Sequence, residues 1–574
     1  MWKKHPRTLP YLFFTEMWER FGYYLMIGIF TLYLKDSVDK GGFNFTESQS
    51  ATLYGLFIAM VYITPFLGGL LADRVLGYRF SILLGGVLMG IGYCVMGIPS
   101  YTGLYTGMAL VIIGNGFFKP NISTLLGNVY SKPELKELKD EGYNIFYMGI
   151  NIGAFICNFV ASVIYIAFGW KYTFISAGIG MFLGVLIFLM GSKRFADADV
   201  RKPLQPGDRS LGNIFAVIIL PSVIAGFIGW YIPGNILGKD STDAFICACI
   251  PIFVLYGSIY TRSNQEEKRP VGALLAIFVS VILFWAVFKQ NGSALNTWAN
   301  NYTHRELTGT VKKIFMGLRM ADSVQYNITS RDSIDAQFRK QHLPPETISQ
   351  MTAAFAATNP DKKELKKYEK KLNDSVLKAV TYPNYFKNIP PQNHPPENTK
   401  IRVWTTNLSQ SINPFWVIML TPLVIAFFAW QKKRGKEPST PTKIAIGLFI
   451  SALSVLVMIG AVNAGNNGAE KVSVLWLFAS YGVITIGELL LSPMGLSIVS
   501  KLSPQRITSL MMGGWLLAIS IGNMLSGVLS SMWDKYSNKA SYFWLNFFLL
   551  LLATAIMLLM LKWLNRVMKE KGVN

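Results

Sequence analysis

The sequence is poor in charged residues, cysteine and histidine. Only 15% of its 574 residues are charged, and it holds four cysteines and four histidines. Soluble domains carry about 25% charged residues, so an ordinary soluble enzyme is excluded. The few cysteines also exclude a secreted disulfide scaffold, because all of them lie in apolar stretches and are expected to be buried thiols: Cys94, Cys157, Cys247 and Cys249.

Motifs of soluble enzymes are missing as well. No phosphate-binding P-loop or Walker lysine occurs, so ATP is not expected to be the energy source. Without a His/Cys cluster we expect no metal site, no cofactor and no enzymatic activity. The formal net charge of +22 would suggest a nucleic-acid partner in a soluble chain. Here the basic residues cluster in short loops, so membrane topology explains most of them and no nucleic-acid partner is expected.

Apolar blocks of about 20 residues recur from end to end, and each is long enough to cross a bilayer as a helix. The sequence therefore predicts an all-α integral membrane protein with fourteen transmembrane spans. They lie near residues 10–35, 50–73, 80–98, 103–128, 143–168, 172–191, 212–231, 243–261, 271–299, 413–430, 442–464, 472–500, 507–532 and 541–565.

Basic residues are unevenly shared between the two sides of these spans. One side carries Arg74, Arg79, Lys132, Lys136, Lys139, Lys193, Arg194, Arg262, Lys268, Arg269, Lys432, Lys433, Arg434, Lys436, Arg566 and Lys569. The short loops on the opposite side are poor in Lys and Arg. Because basic loops stay inside, this asymmetry predicts that both termini are cytoplasmic.

One long polar segment, residues 303–405, follows the ninth span on the outer side. It contains a basic, helix-like run over residues 362–371 and a tail rich in proline. The composition predicts a solvated extracytoplasmic helix. The alternative is a module that binds a partner or forms a lid, and the sequence identifies no partner.

Six ionisable residues fall within predicted spans, where charge is costly and indicates function. Glu16, Glu19 and Arg20 share one face of the first span, and the others are predicted in mid-span: Lys119, Lys289 and Glu488. Each alone could snorkel to water or lock two helices together. Together, three acids and three bases that exchange partners are what a proton-coupled carrier needs.

Five segments then carry a resemblance to a known family. Residues 16–24 resemble the ExxERFxYY signature of the proton-dependent oligopeptide transporters, a branch of the major facilitator superfamily. Residues 69–79 are similar to the cytoplasmic loop motif of that superfamily. Residues 117–121, 146–153 and 487–493 resemble the family's lysine–proline, FYxxINxG and glutamate segments. The resemblance covers all the spans and is typical of bacterial members.

The resemblance implies two six-helix bundles with two extra helices between them. Residues 1–195 would form the first bundle, 196–268 the linker with the extra spans, 269–302 and 406–574 the second bundle, and 303–405 the extracytoplasmic insertion. The implied function is import of di- and tripeptides across the inner membrane, driven by the proton gradient rather than by a cofactor, with the lipid bilayer as surroundings. Still open are a carrier of the same fold for nitrate, an amino-acid conjugate or a peptide-like drug, and a transport-dead receptor.

The resemblance also implies roles for individual residues. Glu16 and Glu19 would couple protons beside Arg20. The implied substrate-binding residues are Arg20, Tyr23, Tyr24, Tyr62, Lys119, Asn151, Trp285, Asn413, Glu488 and Ser492.

The chain departs from the family at a gate. Many members carry a base where this chain has Ile27 and an acid where it has Lys289, so the outer salt bridge of those members cannot form here. The outer gate must therefore close by other contacts. Lys289, the gate candidate, would pair with Glu16 or Glu488, help bind a substrate carboxylate, or turn toward outside water.

Overall fold

The structure is a computed structural model of the chain. It describes residues 4–130, 132–200, 210–234, 236, 239–318, 320–326, 329–330, 380–381, 384–386, 389, 391–504 and 508–570.

Five long helices form the N-terminal part of the fold. They are α1 (Leu9–Lys35), α2 (Glu47–Leu71), α3 (Tyr78–Met96), α4 (Tyr101–Val129) and α5 (Lys139–Gly191). The entry of α2 is set locally, because Thr46 and Gln49 form a reciprocal capping box. Helix α5 comprises two spans, since Gly169 has a φ of 78° that breaks the helix between them. The N-terminal part therefore has six spans.

Two further spans follow. The first combines α6 (Leu211–Ile214), a π-helical stretch (Phe215–Ile219) and α7 (Leu220–Trp230), and the second is α8 (Asp240–Arg262). The two spans pack on each other, and several of their large apolar side chains are exposed, as in a helix that faces lipid.

The C-terminal part also has six spans. The first is α9 (Gln265–Phe288), continued by a 3-10 turn (Lys289–Gly292) and α10 (Ala294–Asn301). The others are α12 (Ile412–Lys433), α13 (Thr440–Ala464), α14 (Val474–Leu502), α15 (Thr508–Ser531) and α16 (Lys539–Glu570). Lys289 lies inside the span Gln265–Asn301, at the point where α9 ends at Phe288 and the 3-10 turn begins.

The predicted count of fourteen spans is confirmed. Eleven helical segments are long and apolar enough to cross a membrane, and one of them, Ile145–Ala198, contains the break at Gly169 and holds two spans. Leu9–Lys35, which carries four charged residues, and the shorter Phe215–Trp230 complete the set. The four cysteines are free thiols.

The insertion contains elements that the sequence analysis did not predict. After the short helix α11 (Gly309–Gly317), strand β1 (Ala321–Gln325) pairs antiparallel with β4 (Lys400–Trp404). A second pair joins β2 (Thr329–Ser330) and β3 (Val380–Thr381). The predicted basic helix over residues 362–371 lies outside the described residues.

The packing separates into two main apolar cores. One is built from residues of α1–α5, and the other mainly from residues of α8–α10 and α13–α16. Between them α2 lies against α15, where a Cβ atom on Gly55 would come within 2.5 Å of the Cα of Gly527. We call the ends of the helices at Lys35 and Asn301 the insertion face, and the opposite ends, at Leu9 and Glu570, the terminus face.

Candidate functional site

The first helix holds a buried cluster of charge. Glu16, Glu19 and Arg20 are each at most 3% exposed. Arg20 donates from Nε and Nη2 to both carboxylate oxygens of Glu19, the second bond measuring 2.7 Å, and its Nε lies 3.3 Å from Oε1 of Glu16. The other oxygen of Glu16 is buried with no hydrogen-bond partner among the described residues. One guanidinium therefore serves two carboxylates, and only Glu19 holds it with two bonds.

Two lysines from different halves of the fold meet at one aromatic ring. The Nζ of Lys119, on α4, lies 3.8 Å from the ring centroid of Tyr62, and the Nζ of Lys289 lies 5.4 Å from the same centroid. Lys289 is also 5.3 Å from the ring of Trp285. Among the described residues, neither lysine has a carboxylate within salt-bridge distance, so the expected pairing of Lys289 with Glu16 or Glu488 is not present in this conformation.

In the C-terminal half, the carboxylate of Glu488 accepts a hydrogen bond from a neutral amide. Asn413, at the start of α12, donates from Nδ2 to Oε2 of Glu488 at 3.0 Å and to Oγ1 of Thr485 at 2.9 Å. Glu488 itself is half-buried in α14. The carboxylate is thus oriented by an amide and stays free to accept a cationic donor. Thr485 was not among the predicted site residues.

The other predicted site residues differ in their contacts with these charges and in their hydrogen bonds. The guanidinium of Arg20 lies 5.0 Å from the ring of Tyr23, and Tyr23 packs edge-on against Tyr24. Asn151 donates to the carbonyl of Tyr147 on its own helix at 3.0 Å, so its amide is not shared with Glu488. The indole nitrogen of Trp285 and the hydroxyl of Ser492 are buried without hydrogen-bond partners among the described residues.

The insertion face is closed by a ring of polar contacts that includes one ion pair. Lys35 of α1 donates to Glu47 of α2 at 3.0 Å and to Thr297 of α10 at 2.8 Å, and the hydroxyl of Thr297 donates to Glu47 at 2.6 Å. Thr31 of α1 donates to the carbonyl of Gly292 at 2.9 Å. These contacts join the two halves without the salt bridge that Ile27 and Lys289 cannot make.

A second set of contacts joins α5 to the 3-10 turn Thr406–Ser411. Asn407 donates to the carbonyl of Asn158 at 2.9 Å and accepts from Ser162 at 3.2 Å. Asn158 donates to Ser411 at 3.2 Å. All four side chains are buried and neutral. The sequence analysis missed them, although Asn158 and Ser162 stand one turn apart in an otherwise apolar span.

The base of the insertion rests on the insertion face. Lys471 donates to the carbonyl of Asn301 at 2.6 Å and lies 4.3 Å from the ring of Tyr385, whose other neighbour is Arg305 at 5.3 Å. Burial lowers the pKa of Lys471 to about 7, assisted by Arg305 and opposed by Glu306. Burial likewise lowers the pKa of Arg305 to about 10. The insertion is therefore packed against the membrane helices at its base. In the described part of the chain, no group of three or more potential metal ligands is present.

A fourteen-span helical bundle with buried opposite charges at its centre is a multi-pass membrane transporter. The chain belongs to the POT family, whose sequence profile it matches over residues 79–317 and 400–545. It is 26% identical over 550 residues to a di-/tripeptide transporter of Lactococcus lactis, covering 94% of this chain and 91% of the relative. It is 25% identical over 533 residues to dipeptide and tripeptide permease A of Escherichia coli, covering 92% and 85% respectively.

Solved structures agree with this assignment. A mutant of the peptide transporter POT in complex with alafosfalin superimposes with a TM-score of 0.71 at 26% identity, covering 99% of this chain and 97% of that one. A POT family transporter in complex with 5-aminolevulinic acid gives a TM-score of 0.72 at 24% identity and supports the fold alone. The predicted family and the superfamily fold are thus confirmed.

Proposed function

We propose that this chain is a proton-coupled symporter that imports di- and tripeptides by alternating access. The observation that carries the proposal is the placement of opposite charges on opposite halves. Among the described residues, Lys119 of the N-terminal half has no carboxylate within salt-bridge distance, and Glu488 of the C-terminal half accepts a hydrogen bond from the amide of Asn413. A free peptide is a zwitterion, so its two ends match these two groups. The named relatives support the same substrate class.

In this proposal the peptide carboxylate meets Lys119 and Arg20, and the peptide amino group meets Glu488. Asn413 orients the glutamate, and Asn151 uses one N–H on the carbonyl of Tyr147 and offers its second N–H to the peptide. Trp285 and Ser492 contribute donors that have no protein partner among the described residues. Tyr23, Tyr24 and Tyr62 line the side-chain pockets, an assignment based on the family motif and on their packing near Arg20 and Lys119.

Proton coupling is assigned to Glu16, Glu19 and Arg20. Two carboxylates at one guanidinium are not stabilised equally, and the one with the weaker contact is the better proton acceptor. The geometry favours Glu16 for that role, because Arg20 contacts only one of its oxygens and the other is buried without a described partner. Protonation of Glu16 would leave the Glu19–Arg20 pair intact.

The topology belongs to the same proposal. We place the chain in the inner membrane with both termini and the terminus face in the cytoplasm, following the distribution of Lys and Arg. The insertion face then lies on the outer side of the membrane. The binding partner of the insertion is unknown. The domain boundaries predicted from the sequence remain part of this proposal, supported by the two main apolar cores.

A counterflow assay tests the function directly. Liposomes that contain the purified protein and are preloaded with unlabelled dipeptide should accumulate labelled dipeptide from outside. Nitrate should not compete with this uptake. Accumulation should also occur without preloading when the lumen is made alkaline. Exchange of nitrate or an amino-acid conjugate without dipeptide exchange would favour the other carriers of this fold, and binding without any exchange would favour a receptor.

A further inference from the structure

Two lysines approach the same ring in the middle of the membrane. Lys119 and Lys289 lie within 3.8 and 5.4 Å of the ring centroid of Tyr62, and both side chains are half-buried. Like charges this close repel each other in a medium less polar than water. The contact with Tyr62 offsets part of this repulsion for each lysine. The two lysines therefore form a site that would stabilise an anion.

The protein's own carboxylates do not supply that anion. Glu19 is held by Arg20 with two hydrogen bonds, and Glu16 lies 3.3 Å from the same guanidinium. Glu488 accepts from Asn413. In the part of the chain that the structure describes, no carboxylate lies within salt-bridge distance of Lys119 or Lys289. Lys119 is hydrogen-bonded to Tyr62, and Glu488 acts on Lys289 from beyond salt-bridge distance, so each lysine has room for a carboxylate of a ligand.

A neutral dipeptide cannot satisfy this arrangement. Its carboxylate serves Lys119 and its amino group serves Glu488, which leaves Lys289 without a counter-charge. An acidic side chain on the peptide supplies the missing carboxylate. Beside Lys289, the buried indole nitrogen of Trp285 has no described partner and could donate a second hydrogen bond to that group.

We infer that Lys289 is a specificity-determining residue that favours peptides with an aspartate or glutamate side chain. This inference rests on the proposed peptide transport and names a substrate class within it. A charge-assisted contact of this kind corresponds to a preference of about tenfold or more for an acidic over an isosteric neutral side chain.

The test is competition for counterflow by a matched series of dipeptides: Ala-Ala, Ala-Gln, Ala-Glu, Glu-Ala and Ala-Lys. Wild-type protein should favour at least one of the Glu peptides over Ala-Gln about tenfold. Lys289→Gln should abolish that preference by weakening competition by the Glu peptides about tenfold more than competition by Ala-Ala, and an unchanged melting temperature would show that the variant is folded. Lys289→Arg should retain the preference, and Lys289→Glu should shift it toward Ala-Lys. Lys132→Gln, at an exposed loop lysine, is the matched control and should behave as wild type.

Each outcome is decisive. Equal competition by the Glu peptides and Ala-Gln in wild-type protein would overturn the inference and leave peptide transport standing. An undiminished preference in Lys289→Gln would also overturn the inference. An equal loss of affinity for Ala-Ala and for the Glu peptides would do the same, because it would place Lys289 at the peptide's terminal carboxylate. If no dipeptide supports counterflow in wild-type protein, the proposed function fails, and the inference fails with it.

Discussion

Replacing Asn407 by alanine should weaken the closure of the insertion face. Asn407 donates to the carbonyl of Asn158 at 2.9 Å, so one full hydrogen bond between the halves is lost, while its Oδ1 lies 3.2 Å from the hydroxyl of Ser162. Ser162 keeps its bond to the carbonyl of Asn158 at 2.7 Å, so the partners are not left entirely unpaired. The matched control is Ser409→Ala in the same 3-10 turn, because the hydroxyl of Ser409 donates to Asn296 of its own half.

The size of the effect follows from the bond between Asn407 and the carbonyl of Asn158. Its loss costs about 1 kcal/mol and shifts the equilibrium toward the conformation open at this face roughly fivefold. An open state populated at about 1% in the wild type would rise to about 5% of the molecules. The control should stay near the wild-type population, because opening does not separate Ser409 from Asn296.

Spin labels on the two halves measure this population. Asp39, in the loop after α1, and Lys535, in the loop after α15, are both exposed on the insertion face. With the native cysteines replaced, electron–electron double resonance between labels at these sites should show a longer-distance population in Asn407→Ala and not in Ser409→Ala. An unchanged distribution in Asn407→Ala, or the same change in both variants, would refute the assignment of these bonds to the closure.

Four further predictions concern the binding site, proton coupling and, in two cases, the insertion. Glu488→Gln should weaken dipeptide binding roughly ten- to a hundredfold; blocking the peptide amino group should weaken the wild type similarly and the mutant little, and an equal effect in both would reject the assignment. Glu16→Gln and Glu19→Gln should each lose accumulation driven by a pH gradient yet keep counterflow, whereas retention of accumulation by both would place coupling elsewhere. Because the pKa of Lys471 is lowered to about 7 when the insertion is docked, the undocked chain binds more protons above that pH. Docking should therefore strengthen between pH 7 and 9 by up to about tenfold per pH unit, seen as slower proteolysis of the insertion. Lys471→Met should remove this dependence, and a rate that is flat in the wild type would contradict it. Deleting residues from about 308 to 400 should leave dipeptide uptake within a few-fold, and abolished uptake by a folded deletion variant would make the insertion part of the gate.

The spans and the charged residues were predictable because each depends on one local property. Apolar length defined the fourteen spans, and the cost of charge in a membrane singled out Glu16, Glu19, Arg20, Lys119 and Glu488. The sequence also indicated that closure must use contacts other than a salt bridge at Ile27. What it did not provide was the identity of those contacts.

The contacts could not be predicted because they join residues far apart in the sequence. Asn158 lies within a span of one bundle and Asn407 before the first residue of α12 in the other, and the two meet only after the bundles pack together. The end of α9 at Phe288 was not predicted because the 3-10 turn Lys289–Gly292 is short and helix α10 begins at Ala294, so one long span covers both helices. The strand pairing of β1 with β4 spans a long stretch of chain, and short polar strands carry little periodic signal.

The division of charge between the centre and the insertion face has a consequence for the transport cycle. Among the described contacts that join the halves at this face, the hydrogen bonds of Asn158, Ser162 and Asn407 involve neutral groups, whose strength does not change across physiological pH. The ion pair of Lys35 and Glu47 lies within one half, so it remains paired when Thr297 moves away with the other half. Among the described residues, no ion pair at salt-bridge distance is broken when this face opens, and the opposite charges across it, Asp534 with Lys35 and Lys539 with Glu47, interact over a longer distance. Because the hydrogen bonds of Asn407 involve neutral groups, Asn407→Ala should shift the equilibrium toward the open conformation by the same factor at pH 5.5 and pH 7.5.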